Sequence, residues 1–142
     1  MTGETFGGGF RVRALGEVAL RCRDVARVAR FYGETLGLER LARREGGIAR
    51  FRLGEGGPGG PVAVLALVPA GGAARPGGGA PHHLALTVTP HDQARAADWF
   101  RRLGVACRFE DVPGLGRRGL FVADPEGNAV ALVAAAGAPE AA

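Results

Sequence analysis

Apolar and polar residues recur along this chain in the same order twice. In each half, a short alternating segment precedes a helical pattern, and three more alternating segments follow it. The alternation predicts strands at residues 17–22, 38–44, 48–53, 62–68, 83–88, 105–110, 118–123 and 129–133. Because each half has the order strand, helix, strand, strand, strand, the pattern predicts two βαβββ modules.

Both predicted helices have clear ends. Asp24 is an N-cap residue and Gly37 ends the first helix, whereas Thr89 and Pro90 begin the second helix and Gly104 ends it. The spacing predicts that one face of each helix is buried, formed by Val25, Val28, Ala29, Tyr32 and Leu36 in the first and by Ala96, Ala97, Phe100 and Leu103 in the second.

The two halves align with an almost constant offset. Glu17 and His83 are 66 residues apart, and Ala66 and Ala131 are 65 residues apart. One module alone would bury too little apolar surface, so we expect two modules to pack side by side in one domain, either within one chain or by exchange between chains. The expected organisation is an N-terminal extension (1–14), a first module (15–70), a Gly-rich linker (71–81), a second module (82–135) and a C-terminal tail (136–142).

Several short motifs resemble a known family. Asp124-Pro125-Glu126-Gly127-Asn128 joins two strands with the residues of a type I turn. The other motifs are Val18-Ala19-Leu20, Phe31-Tyr32 with Leu36-Gly37-Leu38, and His83-Leu84-Ala85-Leu86. Together they resemble the vicinal oxygen chelate family, which includes glyoxalase I, ring-cleaving dioxygenases, and fosfomycin and bleomycin resistance proteins. The resemblance implies an α+β fold, in which two tandem βαβββ modules form a cupped mixed β-sheet with the helices outside.

Strand alternation then sorts the residues of each first strand by face. Glu17, Ala19 and Arg21 share one face, and the residues between them share the other. We expect the first set to line the cup and the second set to meet the helix. By the same alternation, His83 and Ala85 face the cup in the second module.

The resemblance also implies four metal-ligand positions, one on the first and one on the last strand of each module. In this chain they are Glu17, Ala66, His83 and Ala131. Alanine has no donor atom, and a catalytic zinc or iron normally has three protein ligands. We therefore expect no cofactor, with a divalent metal disfavoured.

Glu17 and His83 remain as polar groups in the predicted cup, and two interpretations stay open. They could act on a substrate as a catalytic general acid/base pair, because histidine titrates near neutral pH. Alternatively, they are remnants that pair with each other inside a partly buried cleft.

Arginine supplies the other candidates. Alternation places Arg50 and Arg52 on the face away from the helix, where Arg21 joins them. These three could clamp a carboxylate or phosphate, or they could be solubilising residues whose stems cover apolar surface. The rest of the predicted ligand-binding lining is apolar: Val62, Val64, Ala66, Val68, Phe121 and Ala131.

Charge and composition narrow the functional classes. All 18 basic residues are arginine, and the net charge is +4. Arginine suits anion recognition, but we favour codon bias as the reason for the excess, because alanine, glycine and proline are also abundant. Acidic residues are interspersed, and the single tyrosine lies on a predicted helix, which argues against a nucleic-acid partner. No apolar run is long enough for a membrane helix.

The remaining expectations concern compartment and assembly. The N-terminus lacks a basic start and an apolar stretch, so we expect a cytoplasmic protein. Cys22 and Cys107 have no metal-binding spacing and are expected to be reduced core thiols. Trp99 is expected to pack or form an interface outside the cup. A homodimer is expected, because open sheet edges gain by closing against a symmetry mate.

These observations favour a metal-free protein that binds a small molecule in an apolar cup, with a preference for anions. The alternative is an enzyme of the same superfamily, a lyase, isomerase or dioxygenase that uses Glu17 and His83 with or without a divalent metal. The identity of the ligand does not follow from a fold that hosts many chemistries.

Overall fold

The computed structural model describes residues 8–9, 15–41, 46–54, 63–70, 83–112 and 117–134. The elements in chain order are β1 (Glu17–Cys22), α1 (Val25–Arg30), β2 (Ala49–Leu53), β3 (Ala63–Pro69), β4 (Leu84–Val88), α2 (Pro90–Leu103), β5 (Arg108–Val112), β6 (Arg117–Ala123) and β7 (Ala129–Ala134). A π-helical turn, Phe31–Thr35, continues α1. The predicted linker, the C-terminal tail, Val62 and most of the N-terminal extension lie outside the described residues.

The strands form two sheets with matching topology. One has three strands in the order β1-β3-β2, and the other has four in the order β4-β7-β6-β5. In each sheet the strand before the helix pairs in parallel with the module's last strand, and the other pairs are antiparallel. The α+β fold with a cupped mixed sheet, expected from the sequence, is therefore confirmed.

The described strands differ from the predicted ones in two places. Residues 38–41 form only an isolated bridge, Arg40 opposite Phe51, although backbone hydrogen bonds still hold this segment beside β2. In the second module, β5 begins at Arg108 rather than at Val105. The Val105 N–H donates to the Phe100 carbonyl at 2.8 Å. This hydrogen bond belongs to the C-terminal end of α2, so Val105 does not join the sheet.

The first helix is shorter than the apolar spacing suggests. The Asp24 side chain accepts from the backbone N–H of Arg27, as an N-cap residue should. At the other end, the Leu36 N–H donates to the Phe31 carbonyl at 3.0 Å, five residues back. This π-helical turn widens the end of the helix, a feature often found at functional sites.

The second helix agrees closely with its sequence signals. The Thr89 hydroxyl accepts from the Asp92 N–H, Pro90 occupies the first turn, and Gly104 ends the helix at φ 74°. A left-handed φ favours glycine, which explains this stop signal.

The main core lies between the helices and the sheet faces that they cover. Its largest fully buried side chains include Tyr32, Phe51, Phe100, Leu65, Leu67, Leu120, Val28 and Val130. Cys22 is fully buried and Cys107 is partly buried, and both are free thiols. Among the described residues, no helix is long and apolar enough to cross a membrane.

The β6–β7 turn joins the second module to α1 of the first. The Glu126 carboxylate accepts from the backbone N–H groups of Arg23 and Asp24 at 2.9 and 2.8 Å. The buried Asp124 carboxylate accepts from the Tyr32 hydroxyl at 2.8 Å. This turn therefore holds the two modules together.

A second apolar cluster lies on the opposite face of the four-stranded sheet, and Gly119 marks its tightest point. A Cβ at this residue would lie 2.8 Å from Val112 Cγ2 and 3.3 Å from the Phe121 ring. We expect Gly119→Ala to lower the free energy of unfolding by about 1–3 kcal/mol, because an added methyl overpacks a filled cluster. Gly16→Ala is the control, since a Cβ there meets nothing within 4 Å. Equal denaturation midpoints for the two variants would contradict the prediction.

Candidate functional site

The cup face of the three-stranded sheet carries the polar residues predicted for it. Directly opposed residues of neighbouring strands share a face. Glu17 lies opposite Val64, and Arg50 and Arg52 lie opposite Ala66 and Val64. The structure thus places these five residues on one face, away from α1.

Glu17 and Arg50 form an ion pair across this face. Arg50 Nε donates to Glu17 Oε2 at 2.9 Å. The Arg50 side chain is 28% exposed and the Glu17 side chain is 44% exposed. An ion pair this exposed contributes little to stability. Its effect is to orient the guanidinium above the buried Ala66.

The other two arginines lie at the margins of the cup. Arg52 Nε is 3.1 Å from Glu39 Oε1, within ion-pair range but without hydrogen-bond geometry. Arg21 is exposed and lies opposite Val68 at the far end of β1. The three arginines share a face but differ in setting, and the side chain of Arg50 is less exposed than that of Arg52 (28% against 39%).

The cup face of the four-stranded sheet is built around Phe121. Its ring meets His83 at a centroid distance of 6.0 Å in an edge arrangement, and the Arg108 guanidinium lies 5.3 Å from its centroid. Arg108 Nε also donates to Glu110. Phe121 lies opposite Ala131, so this wall combines an aromatic ring, an imidazole and a guanidinium above a small floor residue.

Of the four positions at which the resemblance implies metal ligands, two hold residues with donor atoms and two do not. Ala66 and Ala131 are 1% and 0% exposed and offer no donor atom. Glu17 is engaged by Arg50, and His83 packs against Phe121. In the described part of the chain, no three His, Cys, Asp or Glu side chains are grouped to hold a metal. The pairing of Glu17 with His83 stays a prediction.

Two titratable groups with displaced pKa values lie on the helix side of the sheets. Burial raises the pKa of Cys22 from 9.0 to about 12, and the charges of Glu126 and Asp124 add to the effect. Burial is also the main cause that raises the pKa of Tyr32 well above its usual range. The charge of Asp124 and the hydrogen bond from Tyr32 to Asp124 raise this pKa further. Both groups are held in their neutral forms inside the core.

A groove between the modules was not predicted from the sequence. We call it the inter-module groove: it has a volume of about 680 Å³ and lies among the end of α1, β4 and α2, with walls that include Leu36, Leu38, Leu53, Val88, Ala96 and Trp99. Trp99 Nε1 donates to the Thr35 carbonyl at 3.0 Å, so Trp99 packs outside the cup, as expected. The sequence features that point to this groove are Leu36 and Leu38, which follow the first helix, and Trp99.

Comparison with known proteins supports one family. A sequence model of the Glyoxalase/Bleomycin resistance protein/Dioxygenase superfamily matches residues 14–132. A comparison with curated protein sequences found no match.

Solved structures of the same fold share about a fifth of their residues with this chain. A lactoylglutathione lyase from Agrobacterium tumefaciens has a TM-score of 0.65 at 20% identity, over 85% of this chain and 92% of that chain. A glyoxalase/dioxygenase from Nostoc punctiforme has a TM-score of 0.64 at 21% identity, over 94% and 98%. TnmS3, an antibiotic-binding protein from Streptomyces sp. CB03234, has a TM-score of 0.65 at 22% identity, over 88% and 98%.

Proposed function

The chain belongs to the glyoxalase/bleomycin resistance protein/dioxygenase superfamily, and we propose that it binds a small molecule in its cup without a metal ion. The ligand has an apolar body and one anionic group, a carboxylate or phosphonate. The observation that carries this proposal is the Arg50 guanidinium, oriented by Glu17 above the buried Ala66. Family membership alone does not decide the chemistry, since its structural neighbours include a lyase and an antibiotic-binding protein.

The anionic group and the apolar body of the ligand would contact different parts of the cup. Arg50, with Arg21 and Arg52 at the margins, would hold the anion through charge-assisted hydrogen bonds, each contributing about 1.5–3 kcal/mol. Val64 and Phe121 would contact the apolar body, and the buried Ala66 and Ala131 would form the floor beneath it. A cation in this part of the cup would meet like charge.

Binding is favoured over catalysis by the partners of the two candidate catalytic groups. Glu17 is paired with a guanidinium, and His83 is packed against an aromatic ring. Each of these two contacts is consistent with a side chain that lines the cup and positions a ligand. The enzymatic alternative through Glu17 and His83 would require turnover that is lost in both Glu17→Gln and His83→Gln variants.

A thermal-shift series tests the anion site. We expect 1-adamantanecarboxylate to raise the melting temperature, and Arg50→Ala to weaken its binding about tenfold or more, as expected for loss of about 1.5–3 kcal/mol. Arg52→Ala should have a smaller effect. Arg27→Ala removes the same charge from the exposed side of α1 and serves as the control. If Arg50→Ala and Arg27→Ala bind the carboxylate equally, the anion site is wrong.

The metal-free and dimeric parts of the proposal have separate tests. Elemental analysis of untreated protein should find no stoichiometric zinc, iron, manganese or nickel; one metal per chain that is lost in His83→Ala would contradict this. Light scattering at micromolar concentration should give the mass of a homodimer. The open edge of β1, unpaired among the described strands, is consistent with such an assembly.

A further inference from the structure

We propose that the inter-module groove is a second ligand site, which binds a small molecule with an apolar body and one protonated amine. The groove volume of about 680 Å³ lies within the range of about 300–1,000 Å³ that is typical of small-molecule sites. Its walls are mainly leucine, alanine and valine side chains, with Trp99 on one side. Such walls match an apolar body of moderate size.

The charge of the groove identifies the polar group of the ligand. Among the described residues, the ionisable side chains that line it are Glu34 and Asp92, both carboxylates. No ion pair joins either carboxylate to another of the described residues. The two acids come from opposite modules, Glu34 from the π-helical turn and Asp92 from the first turn of α2. An ammonium group between these walls would supply the missing positive charge.

Two further features suit an amine. The Trp99 indole is anchored by its hydrogen bond to the Thr35 carbonyl, and it remains 42% exposed beside the groove. A tryptophan ring attracts ammonium groups through its π-electrons. In addition, β4 is an edge strand among the described strands, so part of its backbone is not used by the sheet. Its outward carbonyl groups can accept hydrogen bonds from an ammonium.

The groove and the cup therefore have opposite ligand preferences. The described charged groups on the cup face include Arg21, Arg50 and Arg52 together with Glu17, whereas the described lining of the groove has two carboxylates and no arginine. The groove proposal does not depend on the cup proposal, because no cup arginine lines the groove. The two sites can be tested with the same apolar body carrying different charges.

The experiment uses three probes of one shape: 1-aminoadamantane, 1-adamantanol and 1-adamantanecarboxylate. Trp99 is the only tryptophan in the chain, so its fluorescence reports groove occupancy directly. We expect the amine to change this emission and to bind about tenfold more tightly at the groove than the carboxylate does, a difference of about 1.4 kcal/mol. Isothermal calorimetry on the same samples checks the affinities.

Charge-neutralising variants test the role of the acids. Asp92→Asn and Glu34→Gln should each weaken amine binding roughly two- to fivefold, as expected for loss of one exposed charge partner. Asp98→Asn is the matched control, because it removes the same charge from the same helix but pairs with Arg101 outside the groove. It should leave amine binding unchanged.

Three outcomes would overturn the proposal. The first is equal groove affinity for amine and carboxylate, or binding of neither. The second is an Asp92→Asn variant that binds the amine as tightly as Asp98→Asn does. The third is Trp99 emission that shifts with protein concentration in the absence of probe, because a second copy of the chain would then be the occupant of the groove.

Discussion

Asp124→Ala is expected to lower the free energy of unfolding by about 3–5 kcal/mol, because several buried donors lose their charged acceptor at once. Asp124 is only 4% exposed. Its carboxylate accepts from the Tyr32 hydroxyl, the Glu126 N–H, and the backbone and side-chain N–H groups of Asn128, at 2.8 to 2.9 Å. Truncation leaves all these donors without their acceptor and loosens the turn that docks on α1.

Chemical denaturation at pH 7 measures the effect, and two variants control it. Tyr32→Phe removes one hydrogen bond to the carboxylate and should cost about 1–3 kcal/mol. Asp124→Asn preserves the volume and one acceptor oxygen, so its loss should lie between those of the other two variants. An Asp124→Ala protein that loses less than Tyr32→Phe would show that the network does not stabilise the junction.

This network also shows how far local sequence signals extend. The motif at 124–128 predicts a turn capped by its own aspartate, and the Gly127 N–H does donate to the Asp124 carbonyl at 2.9 Å. The contacts of Asp124 with Tyr32 and of Glu126 with Arg23 span about 90 to 100 residues. Turn chemistry depends on neighbours in sequence, whereas these contacts depend on how two modules pack.

The cup was predictable to a similar depth. Alternation correctly assigns Glu17, Arg50 and Arg52 to one face, because the side-chain period of a strand is two. It does not supply the register between strands, so the sequence did not reveal that Arg50 reaches Glu17 or that Arg52 reaches Glu39. Because of these ion pairs, Arg50, Arg52 and Arg21 differ in their surroundings, although the alternation pattern treats them alike.

The inter-module groove could not be predicted from the alternation of apolar and polar residues. Its lining comes from the ends of α1 and β2 in one module and from β4 and α2 in the other. Each segment follows its own amphipathic pattern, and the exposed Trp99 indicates a contact surface without indicating which segment lies opposite it. A concave surface built from segment ends depends on the angle between modules, which hydrophobic periodicity does not encode.

The second large effect is expected at alkaline pH. Cys22 and Tyr32 are both 0% exposed, and both have raised pKa values in the folded protein. In the unfolded chain they titrate near 9.0 and 10.0. Above those values the unfolded state loses protons that the folded state keeps. The stabilisation is therefore complete below pH 9 and is lost as pH rises.

The size of this loss follows from linkage. Each group contributes a slope of about 1.4 kcal/mol per pH unit, so stability should fall by roughly 4 kcal/mol between about pH 9 and 11. The contribution of Cys22 ends where its folded thiol titrates, at about 12. The chain has no lysine and a single tyrosine, so few other groups titrate in this window.

Denaturant unfolding across this pH range, with two variants, separates the contributions. Cys22→Ala should delay the onset of the loss by about one pH unit, because the thiol titrates first in the unfolded chain. Tyr32→Phe should retain the early loss and flatten the later one. Cys107→Ala, at a thiol that is only partly buried, should follow the parent protein. A free energy of unfolding that stays constant through this range would mean that neither group is held neutral by the core.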